Sequence, residues 1–269
     1  MIYYEREIAS WWLKAGTQFP VLLLTGARQV GKTTVLRNLA EKDRAYVTLD
    51  DPTLRILAQD DPALFLDRFR APVLIDEIQY APQLLPLIKV RVDENRAAGS
   101  YWLTGSQQFQ MMEGISETLA GRVAILNLFG FSSRERHGLP LDLPAFLPTD
   151  QAILPREASP APTDLRSVFG DIWTGSMPAL NTGEVSNRDL FFSSYLQTYL
   201  QRDVRSMSGV GDESSFLAFL RAAAARTGQL LNLSELARDA DVAPNTAKRW
   251  LSILRASFQV SLLDAYHTN

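Results

Sequence analysis

The chain has 269 residues, 46% of them apolar and 21% charged, values close to the soluble globular average that exclude wholesale disorder and a fibrous architecture. Lysine and arginine number 27 against 30 aspartates and glutamates, a net charge of −3, so the chain is not coated in basic charge for non-specific binding to nucleic acid or acidic lipid, although a local basic patch stays open. With no cysteine and two histidines, disulfides, thiol nucleophiles and cysteine zinc sites are excluded, and chemistry falls to carboxylates, lysine, arginine, hydroxyls and backbone.

The length fits one α/β domain with accessory units. The start, Met1 to Glu7, mixes acids and aromatics, and no apolar run approaches the roughly 20 residues that cross a bilayer, so the expected compartment is the cytoplasm with no membrane partner.

In chain order, Val21 to Leu24 is purely aliphatic and turns at Thr25-Gly26, the pattern of a strand buried on both faces. A helix is expected from Lys32 to about Ala40, strands at Tyr46–Leu49 and Val73–Ile75, a helix at Gln83–Ala98, and strands at Tyr101–Thr104 and Val123–Leu128. Strands alternating with helices specify a parallel sheet covered by helices on both faces. Six of the 14 prolines lie between Pro140 and Pro162, read as a linker or surface excursion. Beyond Asp164 the alternation ends, and Leu190–Val204 and Phe216–Ala225 space apolar residues three and four apart, as helices do. The expected divisions are a core over 1–135, a linker over 136–165, a helical segment over 166–208 and a winged-helix-like domain over 209–269.

Residues 26 to 33 read Gly26-Ala27-Arg28-Gln29-Val30-Gly31-Lys32-Thr33, a full match to the phosphate-loop pattern G-x-x-x-x-G-K-[ST], followed by Thr34. The glycines let backbone N–H groups curl inward around phosphate oxygens, and the following helix presents its positive N-terminus. Lys32 would reach the β- and γ-phosphates and the Thr33 hydroxyl would ligate Mg²⁺. Arg28 is expected to point outward, since the middle of such a loop needs only its backbone.

The strand Val73-Leu74-Ile75 ends in Asp76-Glu77. Asp76 would hold the hydration shell of Mg²⁺, and Glu77 could polarise an attacking water; the bland alternative is a solvated turn that caps the next helix. At the tip of the Tyr101–Thr104 strand, Ser106 or Gln107 could face the γ-phosphate, with a simple helix cap by Ser106 as the alternative. Arg122, at the entry to the next strand, could neutralise transition-state charge in cis or across a subunit boundary, or be an ordinary surface arginine. Asp50 and Asp51 end another strand, where capping of the helix near Pro52 is the favoured reading over a place near the metal.

Together GARQVGKTT at 26–34, LIDEIQ at 74–79, LTGSQ at 103–107, LAGR at 119–122 and YLQTYLQRDV at 195–204 resemble a prokaryotic family of AAA-type P-loop ATPases. The resemblance implies an ATPase core, a helical segment, a winged-helix-like region and then a further domain likened to restriction endonucleases. It implies ATP as ligand, with Lys32, Thr33, Asp76 and Glu77 matching the nucleotide and metal motifs. The proline-rich stretch looks longer than the family needs, and the chain ends at Asn269 where members continue, so the last domain is expected to be missing.

Ser234 to Val242 and Pro244 to Leu251 read as two short helices about a tight turn, the layout of a helix-turn-helix. Ser234 is the expected N-cap and Pro244 the first helical residue. Leu236, Ala237, Val242, Leu251 and Leu254 would form the core, with Asn245, Lys248, Arg249 and Ser252 outward, and Phe258–Leu263 would begin a wing strand. That strand, followed by only six residues, is expected to lack its hairpin partner and to associate with another chain. Six bases and six acids balance between Gly211 and Asn269, which leaves both a DNA partner and a protein partner open. The reading is a Mg²⁺-dependent ATPase coupling nucleotide state to this module, open to homo-oligomers; the alternative is a nucleotide-dependent DNA-binding or protein-docking module with little hydrolysis.

Overall fold

A computed structural model describes residues 3–105, 118–139, 141, 149, 151, 164–200 and 213–264. The first half alternates as expected: α1 (Ile8–Gly16), β1 (Val21–Thr25), α2 (Lys32–Leu39), β2 (Ala45–Thr48), α3 (Pro52–Asp60), α4 (Pro62–Arg68), β3 (Val73–Asp76), α5 (Leu84–Glu94), β4 (Tyr101–Gly105), β5 (Val123–Asn127) and the short α6 (Ser133–Arg136). The expected helix over 83–98 is shorter because Asn95 turns extended, and Gly99 then takes a left-handed φ of 71° before β4.

All five strands are parallel, in the order β2-β3-β4-β1-β5. The acid-tipped strand is thus separated from the phosphate-loop strand by β4, and all three end on the same edge. Every residue of β1, β3 and β4 is buried, which is why these runs are aliphatic without alternation. Successive side chains face opposite sides. Val21 and Leu23 join Val73, Ile75 and Leu103 under α3, α4 and α5, whereas Leu22 and Leu24 join Trp12, Leu36, Leu74 and Trp102 under α1 and α2. Trp12 and Trp102 meet edge to face at 5.3 Å between ring centroids. Truncating a buried leucine such as Leu23 to alanine costs about 2–5 kcal/mol.

The second half is helical among the described residues: α7 (Leu165–Thr174), α8 (Pro178–Asn181), α9 (Arg188–Tyr199), α10 (Glu213–Ala225), α11 (Leu233–Asp239) and α12 (Pro244–Ala256). Phe216, Phe219, Leu236, Ala237, Trp250, Leu251 and Leu254 form its core, with Val242 packed against them. Asn245, Lys248, Arg249 and Ser252 are exposed, and Pro244 opens α12.

Two expectations for this half are corrected. The N-cap of α11 is Asn232, whose side-chain Oδ1 accepts from the N–H groups of Ser234 and Glu235, so Ser234 lies within the first turn. Phe258–Leu263 is not a strand. Phe258 takes a left-handed φ of 60°, the N–H groups of Gln259 and Val260 both donate to the Leu254 carbonyl, and the chain folds back on the end of α12. Val260 and Leu262 are thereby packed against the helical core, so no wing forms among the described residues and the premise of strand-mediated association is lost. Of the expected helix over 190–204, residues 201–204 lie outside the described residues, as does most of the proline-rich stretch.

Candidate nucleotide site

The phosphate loop joins the carboxyl end of β1 to α2, and its backbone is held in conformations that few side chains permit. Gly26 has φ 153°, and a Cβ there would stand 2.2 Å from the Leu128 carbonyl oxygen. Gln29 and Gly31 follow in the left-handed region at φ 61° and 91°. Turns of this kind point successive N–H groups into one concavity, and Gly31 ends it as the N-cap of α2. Lys32 is buried at 6% exposure, and its Nζ donates to the carbonyls of Gly26 at 3.0 Å and Ala27 at 2.8 Å, which lays the side chain along the inside of the loop.

The tips of β3 and β4 complete the site. Thr33 Oγ1 donates to Asp76 Oδ1 at 2.8 Å, and the Thr104 hydroxyl donates to the same oxygen. Tyr46, on the neighbouring β2, donates its phenol to Asp76 Oδ2 at 3.2 Å. Burial, and then the Asp76 carboxylate, push the Tyr46 hydroxyl up to about 12, so it remains a donor throughout the physiological range. The Arg37 guanidinium lies over its ring at 4.9 Å. Asp76, itself 5% exposed, therefore has both oxygens satisfied by hydroxyls from three different elements.

Glu77 sits one residue beyond, with a left-handed φ of 60°, which swings its carboxylate out of the strand direction. Its N–H donates to Thr104 Oγ1 at 3.1 Å, and its side chain accepts from the Gln79 amide. It lines a cleft of about 330 Å³ together with Arg28, Lys32, Thr33 and Thr34, and with Thr198 from α9. Its side chain does not cap the following turn, so the capping alternative is set aside. Arg28, in the middle of the loop, is half-buried and contributes to the lining of this cleft. A larger cavity of about 990 Å³ adjoins the loop at Gln29, Gly31, Thr33 and Thr34; aromatic residues Tyr3, Tyr4, Phe131 and Phe191 wall it, and Asn38 and Glu184 offer polar groups.

Ser106 and Gln107 lie outside the described residues; the hydroxyl at the tip of β4 that reaches Asp76 is that of Thr104. Asp51 caps α3 by accepting from the N–H groups of Thr53 and Leu54, and Asp50 is exposed. Arg122 is not brought to the loop. It precedes β5, and its carbonyl accepts from the Val21 N–H at the amino end of β1, the sheet edge opposite the site. Its guanidinium forms a two-pronged pair with Asp93 at 2.6 and 2.9 Å, and that hydrogen bond holds the Asp93 carboxyl below its usual range. A role for Arg122 in cis is thereby excluded by position.

Sequence reasoning did not single out Tyr46, Thr104, Thr198 or Arg6. For Thr104 the signal was its place at the end of a buried strand, the position analogous to Asp76. For the others no local signal exists, because each acts across elements distant in the chain.

Residues 18–137 match the family model described as "AAA domain", and residues 167–269 match a "Domain of unknown function (DUF8612)". The chain is 30% identical over 274 aligned residues to "Uncharacterized protein Rv2008c" of Mycobacterium tuberculosis and to "Uncharacterized protein Mb2031c" of Mycobacterium bovis; the alignment takes in 100% of this chain and 55% of each relative. The chain thus spans about half the length of the curated relatives it matches. Among solved structures it is similar to the Walker-type ATPase PABY2304 of Pyrococcus abyssi, with 13% identity, coverage of 94% and 96% and a TM-score of 0.47. It is also similar to AMPPCP-bound DnaA from Aquifex aeolicus, with 10% identity, coverage of 94% and 88% and a TM-score of 0.40. The phosphate loop and the acid-tipped strand both fall within residues 18–137, so this segment of the chain is an AAA domain of the P-loop ATPase type.

Proposed function

We propose that the chain binds ATP with Mg²⁺ and hydrolyses it, and that the nucleotide state sets the placement of the helical second half. The observation that supports this most directly is the convergence of Lys32, Thr33, Asp76 and Glu77 at the ends of β1 and β3. Mg²⁺ is held in such enzymes by one or two protein oxygens, substrate phosphates and waters, and Thr33 and Asp76 supply that donor set. The metal, when bound, neutralises phosphate charge and orients the terminal phosphoryl group.

Lys32, freed from the two loop carbonyls, donates to the β- and γ-phosphate oxygens, and the loop N–H groups take the remaining charge. Glu77 accepts the proton of the attacking water, held in place by its backbone bond to Thr104 and by Gln79. The base and ribose lodge in the adjoining aromatic-walled cavity. Adenine is preferred over guanine on the family resemblance. The test is steady-state phosphate release by the purified protein with and without Mg²⁺, beside Glu77→Gln. Turnover that requires Mg²⁺ and falls in the variant supports the reading; no release above buffer in either would overturn the hydrolytic part.

A second reading concerns the output. In α12 every charged side chain is basic, and the exposed Asn245, Lys248 and Arg249 occupy its first turns, where a helix-turn-helix reads DNA. Fluorescence anisotropy of a labelled duplex, at two salt concentrations and with or without ATP, separates a DNA partner from a protein one. Salt-dependent binding lost in Lys248→Ala/Arg249→Ala supports DNA.

A further inference from the structure

Arg6 precedes α1 by two residues and lies outside the matched AAA segment, yet it is 3% exposed and placed beside the phosphate loop. Its Nη1 donates to the Val30 carbonyl at 2.9 Å, and its Nη2 donates to the carbonyls of Phe129 at 2.7 Å and Gly130 at 3.3 Å. Its Nε stands 2.9 Å from Glu135 Oε1, and the guanidinium lies 4.8 Å from the centre of the Phe131 ring. Glu135 is fixed in turn, accepting from the N–H groups of Glu7 and Ser132, each at 2.8 Å. A buried cation satisfied mainly by backbone carbonyls is an expensive arrangement for stability alone.

The Val30 carbonyl belongs to the same peptide plane as the Gly31 N–H, and in a trans peptide the two point in opposite directions. Drawing the carbonyl outward to Arg6 therefore turns the Gly31 N–H inward, where a phosphate oxygen would sit. The same guanidinium grips the 129–130 backbone. That segment is itself wedged: Gly26 admits the Leu128 carbonyl on one side, and a Cβ on Gly130 would lie 2.2 Å from Ser176 Oγ on the other. The Phe131 N–H donates to the Ser176 carbonyl at 2.7 Å, which ties the segment to the helical half just after α7.

We propose that Arg6 is a positioning residue of the phosphate site: it sets the Val30–Gly31 peptide for phosphate binding and ties the loop to the 129–131 segment, so that occupancy of the loop is passed to Ser176 and the helices beyond. This rests on the nucleotide reading above and names a regulation of that same site. Lysine at position 6 keeps the charge facing Glu135 but lacks the planar fork that spans three carbonyls. Glutamine at position 135 removes the ion pair and leaves the fork in place.

A structural ion pair and a positioning fork thus predict opposite orders. Titration calorimetry with ATP and Mg²⁺ should give an affinity at least tenfold weaker in Arg6→Lys and within about threefold of wild type in Glu135→Gln, although both lower the melting temperature. Near-wild-type affinity in Arg6→Lys with a loss in Glu135→Gln would overturn the proposal. The transmission is read on the wild-type chain, which needs no variant to fold: ATP with Mg²⁺ should slow hydrogen exchange of the Phe131 amide at least tenfold. Unchanged exchange in protein that binds ATP overturns the relay alone, whereas absence of ATP binding by wild type in the calorimeter overturns the nucleotide reading and this proposal with it.

Discussion

Thr33 and Asp76, 43 residues apart in the chain, are joined by a hydrogen bond of 2.8 Å from the threonine hydroxyl to the carboxylate. The first residues of α2 and the last residue of β3 are thereby held at one point, and both oxygens are of the type that hard divalent cations take. Thr33→Val keeps the shape and removes the oxygen. The expected outcome is that Mg²⁺ no longer strengthens ATP binding, read as equal affinity in calorimetry with Mg²⁺ and with a chelator.

Lys32→Ala removes the charge that lies along the loop. Charge-assisted hydrogen bonds contribute about 1.5–3 kcal/mol each, so ATP affinity should fall by at least about tenfold. Equal affinity of variant and wild type would show that the terminal phosphates are bound elsewhere.

Glu77→Gln retains the side chain's volume and its neighbours, including the Thr104 bond made by its backbone. ATP affinity should stay within a fewfold of wild type while kcat drops by roughly 10² or more. Single-turnover phosphate release separates the two effects, and an unchanged rate would move the base to another residue.

Gly26→Ala tests the loop's geometry. A Cβ would meet the Leu128 carbonyl at 2.2 Å, and that oxygen is backbone and cannot swing away. Crowding of this sort costs about 1–3 kcal/mol or more, and a lower melting temperature should accompany lost ATP binding.

Arg122 stands at the far edge of the sheet, paired with Asp93. Arg122→Ala should leave ATP affinity and the turnover of dilute protein within about twofold of wild type. A loss of turnover that appears only at concentrations where copies associate would place the arginine at a neighbour's site. Mixing it with Glu77→Gln would then restore part of the activity.

The raised Tyr46 hydroxyl carries a pH signature. Its folded value, about 12, lies above the ordinary 10, so the neutral phenol is favoured by folding; this contribution is full below pH 10 and lost as pH rises toward 12. In denaturant unfolding, wild type should therefore lose stability relative to Tyr46→Phe as the pH rises through that window.

The sheet, its parallel sense and the phosphate loop were legible in the chain itself, because each depends on near neighbours. Val21–Thr25 and Val73–Asp76 are aliphatic runs whose burial on both faces leaves no alternation, and Gly26 and Gly31 mark the backbone conformations the loop needs. The apolar core shared by α10, α11 and α12 was legible for the same reason, since its apolar spacing is local. Tertiary structure decided the rest. Arg122 looked suitable beside a strand, but which end of the strand faces the nucleotide depends on sheet topology, and it stands at the wrong one. Phe258–Leu263 had the composition of a strand, yet the end of α12 offered its backbone and apolar side chains partners before any second strand could. Arg6 bonds to carbonyls 24, 123 and 124 residues away; such partners belong to no side chain and leave no pattern in the sequence, so only the folded backbone could bring them to it.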